Sequence, residues 1–291
     1  MYEEFYGFRE KPFHVTADPS FFYPSRHHEE ALAHLTYGIQ QQLGFLTITG
    51  EVGTGKTTLA KTLFEKIPYD TKTAFILNPA LNATQIVLAI ARDFSIIPSG
   101  AKSAPSRGEL IGLIEKFLLS EASAGRSAIL IIDEAQALST SALEQVRLLS
   151  TVETTKSKLL QIILIGQPEL AQRLTDNPAL RALNERIAVR YHIQPLSAEE
   201  VAEYIAHRLT VAGPKHRPTF TPEATALIVR LSGGVPRRIN RICDRALLAG
   251  FIQESRTIDE KIIEKIRRET LMAHPAKSEE ESFEKSLQGG V

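Results

Sequence analysis

The sequence predicts an α/β domain, a parallel sheet with helices on both faces, followed by a small all-helical domain. Up to Pro195, short strand-like runs alternate with helical patterns. This alternation is typical of a parallel sheet whose strands are connected through helices. After Pro195 only helical patterns follow. A chain of 291 residues is long enough for one large domain and a second, smaller one.

The predicted strands are short, apolar and rich in β-branched residues, so we expect them in the middle of the domain. They lie at 45–49, 73–77, 128–132, 160–165 and 187–191. The helical patterns between them lie at 56–66, 83–93, 107–122 and 141–152. Ser141, with Glu144 three residues later, has the capping-box pattern that opens a helix. The small domain has helical patterns at 197–211, 221–231, 236–252 and 259–270.

Composition narrows the class of protein. Apolar residues make up 43% of the chain, which predicts a globular protein, and 34 basic residues balance 34 acidic ones. Net charge therefore gives no support for a dedicated nucleic-acid binder. Cys243 is the only cysteine, which excludes an internal disulfide and fits a reducing compartment; we interpret it as a small apolar filler, with a reactive thiol as the alternative.

Neither a signal peptide nor a membrane span is visible in the sequence. The first residues lack the basic and apolar regions of a secretory signal. No run approaches the roughly 20 apolar residues that cross a bilayer. The sequence therefore predicts a soluble, cytoplasmic protein.

The segment 50–58 fits the pattern G-x-x-x-x-G-K-[ST]. Its residues are Gly50, Glu51, Val52, Gly53, Thr54, Gly55, Lys56, Thr57 and Thr58. In such a loop, successive backbone N–H groups and the following helix N-terminus hold the β-phosphate of a nucleotide. Lys56 is expected to reach the β- and γ-phosphates and the Thr57 hydroxyl to bind Mg²⁺. A predicted strand precedes the loop and a predicted helix follows it. This order argues against the alternative, which is an ordinary glycine-rich turn.

Two acidic residues follow the predicted strand 128–132. We expect Asp133, at the tip of a buried strand, to hold hydrated Mg²⁺ beside the segment 50–58. Glu134 is the candidate that orients or deprotonates the attacking water. Acids are common where a strand enters a loop, so this interpretation depends on the pairing with the segment 50–58.

Gln167 follows the predicted strand 160–165 and lies at the same carboxyl edge of the sheet. There its side chain can contact the γ-phosphate or the attacking water. The alternative is a turn residue that caps the next helix.

Two groups of arginines are candidates for a catalytic positive charge. Arg181, Arg186 and Arg190 lie just before and within the last predicted strand, and Arg237 and Arg238 open a helix of the small domain. Arginines on helices are usually solvated. An arginine supplied to the transition state of γ-phosphate cleavage, however, contributes about 10³–10⁵ in rate.

The predicted organisation has four parts. They are an N-terminal aromatic and proline-rich segment near the nucleotide (1–28), an α/β nucleotide-binding domain (29–194), a helical domain (195–271) and a disordered tail (272–291). The N-terminal segment either stacks on an adenine ring or forms a flap packed on the edge of the sheet. Composition does not separate these two interpretations.

Four motifs together resemble the AAA+ ATPases of the general secretion pathway protein A (ExeA) family. They are G-x-V-G-T-G-K-T-T, I-I-D-E-A-Q, I-G-Q-P-E-L and G-G-V-P-R-R-I-N, in that order. The N-terminal pattern Y-x-x-F-x-G-F is also similar to that family, and the resemblance covers about residues 1–270. It implies a P-loop NTPase fold of the AAA+ type, in which the helical domain is a lid.

The resemblance also implies roles for single residues. Lys56 and Thr57 correspond to the phosphate and magnesium residues of the Walker A motif. Asp133 and Glu134 correspond to the Walker B pair, and Gln167 corresponds to the first sensor.

The arginine roles rest on the same resemblance. Arg237 looks like the second sensor, which reaches from the lid to the γ-phosphate. Arg186 is the candidate for an arginine finger that enters the site of a neighbouring subunit, with Arg181 as the alternative. A finger that acts in trans implies a homo-oligomer.

The resemblance implies an ATPase that uses ATP and Mg²⁺ to assemble or remodel a bacterial envelope machine. Full-length secretion members continue into a transmembrane helix and a peptidoglycan-binding domain, which this sequence lacks. The shorter relatives of pilus, exopolysaccharide and exosortase systems therefore fit better than type II secretion. We expect an inner-membrane or envelope-assembly partner that holds the cytoplasmic chain at the membrane.

Two other functions are considered. One is a DNA-associated ATPase matchmaker similar to transposition regulators, which the absence of a dense Lys/Arg stripe disfavours. The other is a nucleotide-dependent scaffold that binds ATP and hardly hydrolyses it.

Overall fold

The structure is a computed structural model, and it describes residues 1–77, 80–97, 105–153, 158–213 and 215–273. The chain forms two compact units. The α/β unit contains Thr16–Pro195, and the helical unit contains Met1–Val15 together with the chain from Leu196 onward. The predicted segment 1–28 is therefore not one unit, because it divides between the two at Val15 and Thr16. Most of the predicted tail 272–291 lies outside the described residues.

The described residues form the following elements, in chain order. The helices are α1 (Tyr2–Tyr6), α2 (Arg26–Gln40), α3 (Lys56–Lys66), α4 (Ala83–Asp93), α5 (Arg107–Ser123), α6 (Thr140–Leu149), α7 (Pro168–Asp176), α8 (Arg181–Asn184), α9 (Ala198–Ala212), α10 (Pro222–Ser232), α11 (Pro236–Ile252) and α12 (Glu260–Ala273). The strands are β1 (Phe45–Gly50), β2 (Lys72–Ile76), β3 (Ala128–Ile132), β4 (Leu160–Gly166), β5 (Ile187–Ile193), β6 (Thr219–Phe220) and β7 (Thr257–Ile258).

Five parallel strands form the sheet of the α/β unit, in the order β2-β3-β4-β1-β5. The three inner strands are buried along their whole length, whereas the edge strands β2 and β5 are partly exposed. Because β4 pairs with both β1 and β3, the carboxyl ends of these three strands are neighbours. Thr49 lies opposite Gly166, and Ile132 lies opposite Leu164.

Helices cover both faces of this sheet, because alternate strand residues point to opposite sides. On one face, Leu130 and Ile162 belong to a core that includes apolar residues of α4, α5, α6 and α7. On the other face, Ile131 and Ile163 belong to a core that includes residues of α2 and α3. These two cores confirm the predicted parallel sheet with helices on both faces.

Two details of the sequence prediction are wrong. The cap of α6 is Ser139, whose Oγ accepts from the amide of Ala142, and Glu144 forms an ion pair with Arg147 instead of closing a capping box. The helical unit is also not purely helical, since β6 and β7 pair in parallel. Strands of two residues are too short to show an alternating pattern.

The N-terminal segment of the helical unit is attached through buried side chains. Tyr2 donates to a carboxylate oxygen of Asp244, and Tyr6 donates to the carbonyls of Leu247 and Ser255. Arg208 of α9 is buried and donates from Nε to the carbonyl of Pro12 and from Nη2 to the carbonyl of His14. The first fifteen residues are thus a structural part of this unit.

Arg208→Met should lower the free energy of unfolding by about 2–4 kcal/mol, because the variant keeps the bulk and leaves buried carbonyls without their charged donor. Urea denaturation measures this change. Arg217→Met is the matched control, because Arg217 is exposed, and it should change stability by at most about 0.5 kcal/mol. Equal effects of the two substitutions would contradict the assigned role of Arg208.

Cys243 is an apolar residue of the core. Cys243 is fully buried in α11, and this burial raises the pKa of its thiol, so the side chain fills the core and is not a reactive thiolate.

Within the described part of the chain, every helix falls short of the length and apolarity that a bilayer span needs.

Candidate active site

The segment 50–58 connects the end of β1 to the start of α3. Two of its glycines are required by their surroundings. A Cβ atom at Gly50 would lie 2.9 Å from the carbonyl oxygen of Ile193, on β5. Gly55 has φ 95°, in the left-handed region, and a Cβ atom there would lie 2.9 Å from Nε2 of His28. The loop is therefore packed closely against two other parts of the α/β unit.

The Lys56 ammonium folds back over this loop. Its Nζ donates to the carbonyl oxygens of Gly50, at 2.7 Å, and Glu51, at 2.8 Å, and the residue is only 5% exposed. Thr54 braces the same turn, because its hydroxyl donates to the carbonyl of Glu51 at 2.9 Å. A buried ammonium needs acceptors, and phosphate oxygens can supply them as well as carbonyls can.

His28 in α2 also supports the loop, and the sequence analysis missed it. Its Nε2 lies 2.9 Å from the carbonyl oxygen of Thr54, and its Nδ1 lies 2.6 Å from the hydroxyl of Ser25. Because a carbonyl only accepts, Nε2 donates to it, and in the neutral imidazole Nδ1 then accepts from the Ser25 hydroxyl. No short-range pattern marks this residue in the sequence, since the contact joins a helix to a distant loop.

A single hydrogen bond joins the two principal motifs. Thr57, in the first turn of α3, donates from Oγ1 to Oδ2 of Asp133 at 2.6 Å, although the residues are 76 positions apart. The other carboxylate oxygen of Asp133 accepts from the amide of Glu134 at 2.9 Å. The structure thus places a hydroxyl oxygen at the start of α3 and a carboxylate oxygen at the tip of β3 side by side.

These two oxygens fit a divalent cation. Magnesium prefers hard oxygen ligands, which a threonine hydroxyl and an aspartate provide. Asp133 is 2% exposed, and burial raises the pKa of its carboxyl group; hydrogen bonds from Thr57 and the Glu134 amide, and the Lys56 charge, act in the opposite direction. On balance the pKa is raised, and a divalent cation at this site would favour the ionised carboxylate.

The backbone of Glu134 has an uncommon conformation. Its φ of 53° and ψ of 38° lie in the left-handed region, which non-glycine residues rarely adopt and which recurs at functional sites. Its Oε2 accepts from Nε2 of Gln167 at 3.1 Å. Gln167 occupies the N-cap position of α7 but makes no side-chain capping bond. Its side chain therefore interacts with Glu134 and does not cap the helix.

Gln136 joins the same group, and the sequence analysis gave it no role. Its Nε2 donates to Oε2 of Glu134, and its Oε1 accepts from the backbone amide of Gln167 at 3.1 Å. Its only sequence signal is its place in the I-I-D-E-A-Q motif.

The candidate arginines are all exposed. Arg186 donates from Nη1 to the hydroxyl of Ser150 at 3.1 Å, and Arg181 forms an ion pair with Glu185 at 3.0 Å. Arg237 lies in the first turn of α11, in the helical unit. None of the three belongs to the group that the hydrogen bonds above connect, within the ranges that the structure describes.

Comparisons with known proteins agree with this fold. Residues 39–174 match a family model described as an AAA domain. The fold is similar to Cdc6p from Pyrobaculum aerophilum, with a TM-score of 0.64 and 20% identity over 83% of this chain and 68% of that one. It is also similar to the RuvB Holliday junction branch migration motor of Thermotoga maritima, with a TM-score of 0.55 and 18% identity over 83% and 67%.

Residues 39–174 and the fold are therefore similar to those of AAA domains. The chain is also similar to General secretion pathway protein A of Aeromonas hydrophila, with 47% identity over 261 residues. The aligned region is 89% of this chain and 46% of that protein, so the chain spans about half the length of its curated relative. These matches confirm the predicted AAA+ fold and the resemblance to the general secretion pathway protein A family.

Proposed function

We propose that the segment 50–58 binds ATP with Mg²⁺ and that the residues beside it hydrolyse the nucleotide. The observation that carries this proposal is the bond between Thr57 and Asp133, because it brings the glycine loop and the acidic strand tip into one site. Lys56 binds the β- and γ-phosphates, and the loop amides surround the β-phosphate.

Each of the remaining residues has a role that follows from its chemistry. Thr57 and Asp133 hold Mg²⁺, which neutralises charge on the phosphates when it is bound. Glu134 orients the attacking water and accepts its proton, and Gln167 holds the Glu134 carboxylate at the strand tip. Burial strengthens these charged interactions, because the effective dielectric constant inside a protein is lower than in water.

We assign two arginines to the γ-phosphate by resemblance to the family. Arg237 acts from the helical unit as the second sensor. Arg186 acts in trans in a homo-oligomer, which its exposure permits, and Arg181 is the alternative finger.

A mixture of two inactive variants tests the trans arrangement. Lys56→Ala and Arg186→Ala proteins should each be inactive, and mixing them in equal amounts should restore turnover at about one quarter of the interfaces in a ring that exchanges subunits randomly. Phosphate release measures this recovery. In the control mixture, Arg190→Ala takes the place of Arg186→Ala. The Arg190→Ala protein should be active on its own, before it is mixed with Lys56→Ala. No recovery after subunit exchange would contradict Arg186 as the finger and leave Arg181 to be tested in the same way.

We further propose that hydrolysis drives the assembly or remodelling of a bacterial envelope machine, through an inner-membrane or envelope-assembly partner that holds the chain on the cytoplasmic side. The support is the 47% identity to a protein named for general secretion. In the organism's own cells, Glu134→Gln should leave the chain abundant and stop the assembly of a secretion, pilus or polysaccharide system. Normal assembly of all three would contradict this role.

The second candidate is a DNA-associated matchmaker. The observation in its favour is the fold likeness to the Aeropyrum pernix ORC1 protein, solved in complex with DNA, with a TM-score of 0.61 and 16% identity. ATP hydrolysis with and without duplex DNA at low salt separates the two candidates, since phosphate contacts are strongest there. The envelope role predicts an unchanged rate, and strong stimulation by DNA would favour the matchmaker.

A further inference from the structure

We infer that Gln136 is a positioning residue for ATP hydrolysis, which locks the Glu134 carboxylate to the tip of β4. This inference rests on the proposed function, because it concerns how the proposed general base is held. It adds a residue to which neither the motif analysis nor the comparisons give a role.

The Gln136 amide is fixed at both ends. Its carbonyl oxygen accepts from the backbone N–H of Gln167, and its NH₂ group donates to Oε2 of Glu134. A backbone N–H only donates and a carboxylate only accepts, so the amide has one orientation that satisfies both partners. Rotating it would break both bonds at once.

The carboxylate oxygen that Gln136 contacts is shared with a second donor. Nε2 of Gln167 also donates to Oε2 of Glu134, at 3.1 Å. Gln136 therefore makes two bonds to the same pair of residues, one to the side chain of Glu134 and one to the backbone of Gln167. Through this bridge, the end of β3 and the end of β4 hold the carboxylate together.

The position of Gln136 is itself restrained. Arg173 of α7 donates from Nη1 to the carbonyl of Gln136 and from Nη2 to the carbonyl of Leu138, so its guanidinium fixes the backbone of this turn. Gly166 packs against the amide, because a Cβ atom there would lie 2.8 Å from Oε1 of Gln136. The turn therefore restrains the amide through its backbone and through the close contact with Gly166.

Such a bridge is the kind of support that a general base requires. Proton transfer depends on a heavy-atom separation close to hydrogen-bond length, and an error of about 1 Å in the placement of a reacting group costs up to about 10²-fold in rate. A glutamate side chain has several rotamers, and the bridge selects one of them. Gln136 does not need to touch the nucleotide to have this effect.

The test uses Gln136→Leu, which keeps the bulk of the side chain, and Gln136→Glu, which keeps its shape and brings a second carboxylate against Glu134. We expect both to lower kcat for ATP hydrolysis by about 10–100-fold, with Gln136→Glu the slower of the two. The KM and the calorimetric dissociation constant for ATP with magnesium should stay within about threefold of wild type, because the amide acts through Glu134. A rise in either constant with unchanged kcat would overturn the inference.

Gln161→Leu is the matched control for a merely structural effect. Like Gln136, Gln161 accepts a backbone amide bond, from Gly44 at 2.8 Å, but Gln161 is buried and lies at the opposite end of β4. This variant should lower the melting temperature and leave kcat of the folded protein within about twofold of wild type. Equal losses of kcat in Gln161→Leu and Gln136→Leu would overturn the positioning role.

A double-mutant cycle decides whether the effect passes through Glu134. In single-turnover assays, Gln136→Leu should slow wild type by about 10–100-fold and slow the Glu134→Gln protein by less than about threefold, because residues that act as a unit are non-additive. Equal slowing in both backgrounds would overturn the inference, and so would a Gln136→Leu protein that is faster than wild type. Absence of turnover in wild type would overturn the proposed function and this inference together, whereas full turnover in Gln136→Leu overturns only the inference.

Discussion

Glu134→Gln should lower kcat for ATP hydrolysis by about 10²–10⁴-fold, because an amide cannot accept the proton of the attacking water. The substitution keeps the size of the side chain, and its amide oxygen can still accept from Gln136 or Gln167. The dissociation constant for ATP should therefore stay within about threefold of wild type. Steady-state phosphate release measures the first quantity and calorimetry the second.

Glu65→Gln is the control for this experiment, because Glu65 is an exposed residue near the end of α3. It should leave both quantities unchanged. If wild type and Glu134→Gln hydrolyse ATP equally slowly while both bind it, the general-base assignment is wrong and the scaffold hypothesis is favoured.

Lys56→Ala should weaken ATP binding by about 10²-fold or more, because a buried ammonium that bonds phosphate oxygens makes a strong charge-assisted contact. Wild type should melt at a higher temperature when ATP and magnesium are present, since a ligand that binds only the folded state stabilises it. In the variant this shift should disappear over the same range of ATP concentration.

Lys66→Ala provides the comparison for Lys56→Ala. Lys66 is an exposed lysine in the last turn of the same helix, so its loss should leave the ATP-dependent melting shift intact. An undiminished heat of ATP binding in Lys56→Ala would show that the nucleotide does not occupy the segment 50–58.

The central strands were predictable because burial forces their composition. Strand β3 was predicted at 128–132 and runs from Ala128 to Ile132, since a strand with neighbours on both sides and helices on both faces accepts only apolar residues. Strand β5 was predicted two residues too short, because His192 interrupts the apolar run before the strand ends at the buried Ile193. The Ser141 capping box was wrong because α6 begins at Thr140 with Ser139 as its cap, so Ser141 lies inside the helix.

The residues of the candidate site could be predicted from the sequence where they lie close to the carboxyl ends of predicted strands. Thr57, Asp133 and Gln167 all follow or face the carboxyl ends of parallel strands, and topology alone brings such residues together. His28 and Gln136 were missed for a different reason. Both residues form side-chain hydrogen bonds with backbone groups that are distant in the sequence. The spacing of residues along the sequence does not indicate such bonds.

The contribution of residues 1–15 to the helical unit has a consequence for the order in which the protein forms on the ribosome. Domains fold as units while the chain is being synthesised. All residues of the α/β unit, Thr16–Pro195, emerge before α9 begins, so the nucleotide loop and its acidic partner can come together early. Residues 1–15 are translated before the α/β unit, but their buried partners lie in helices that are translated after it.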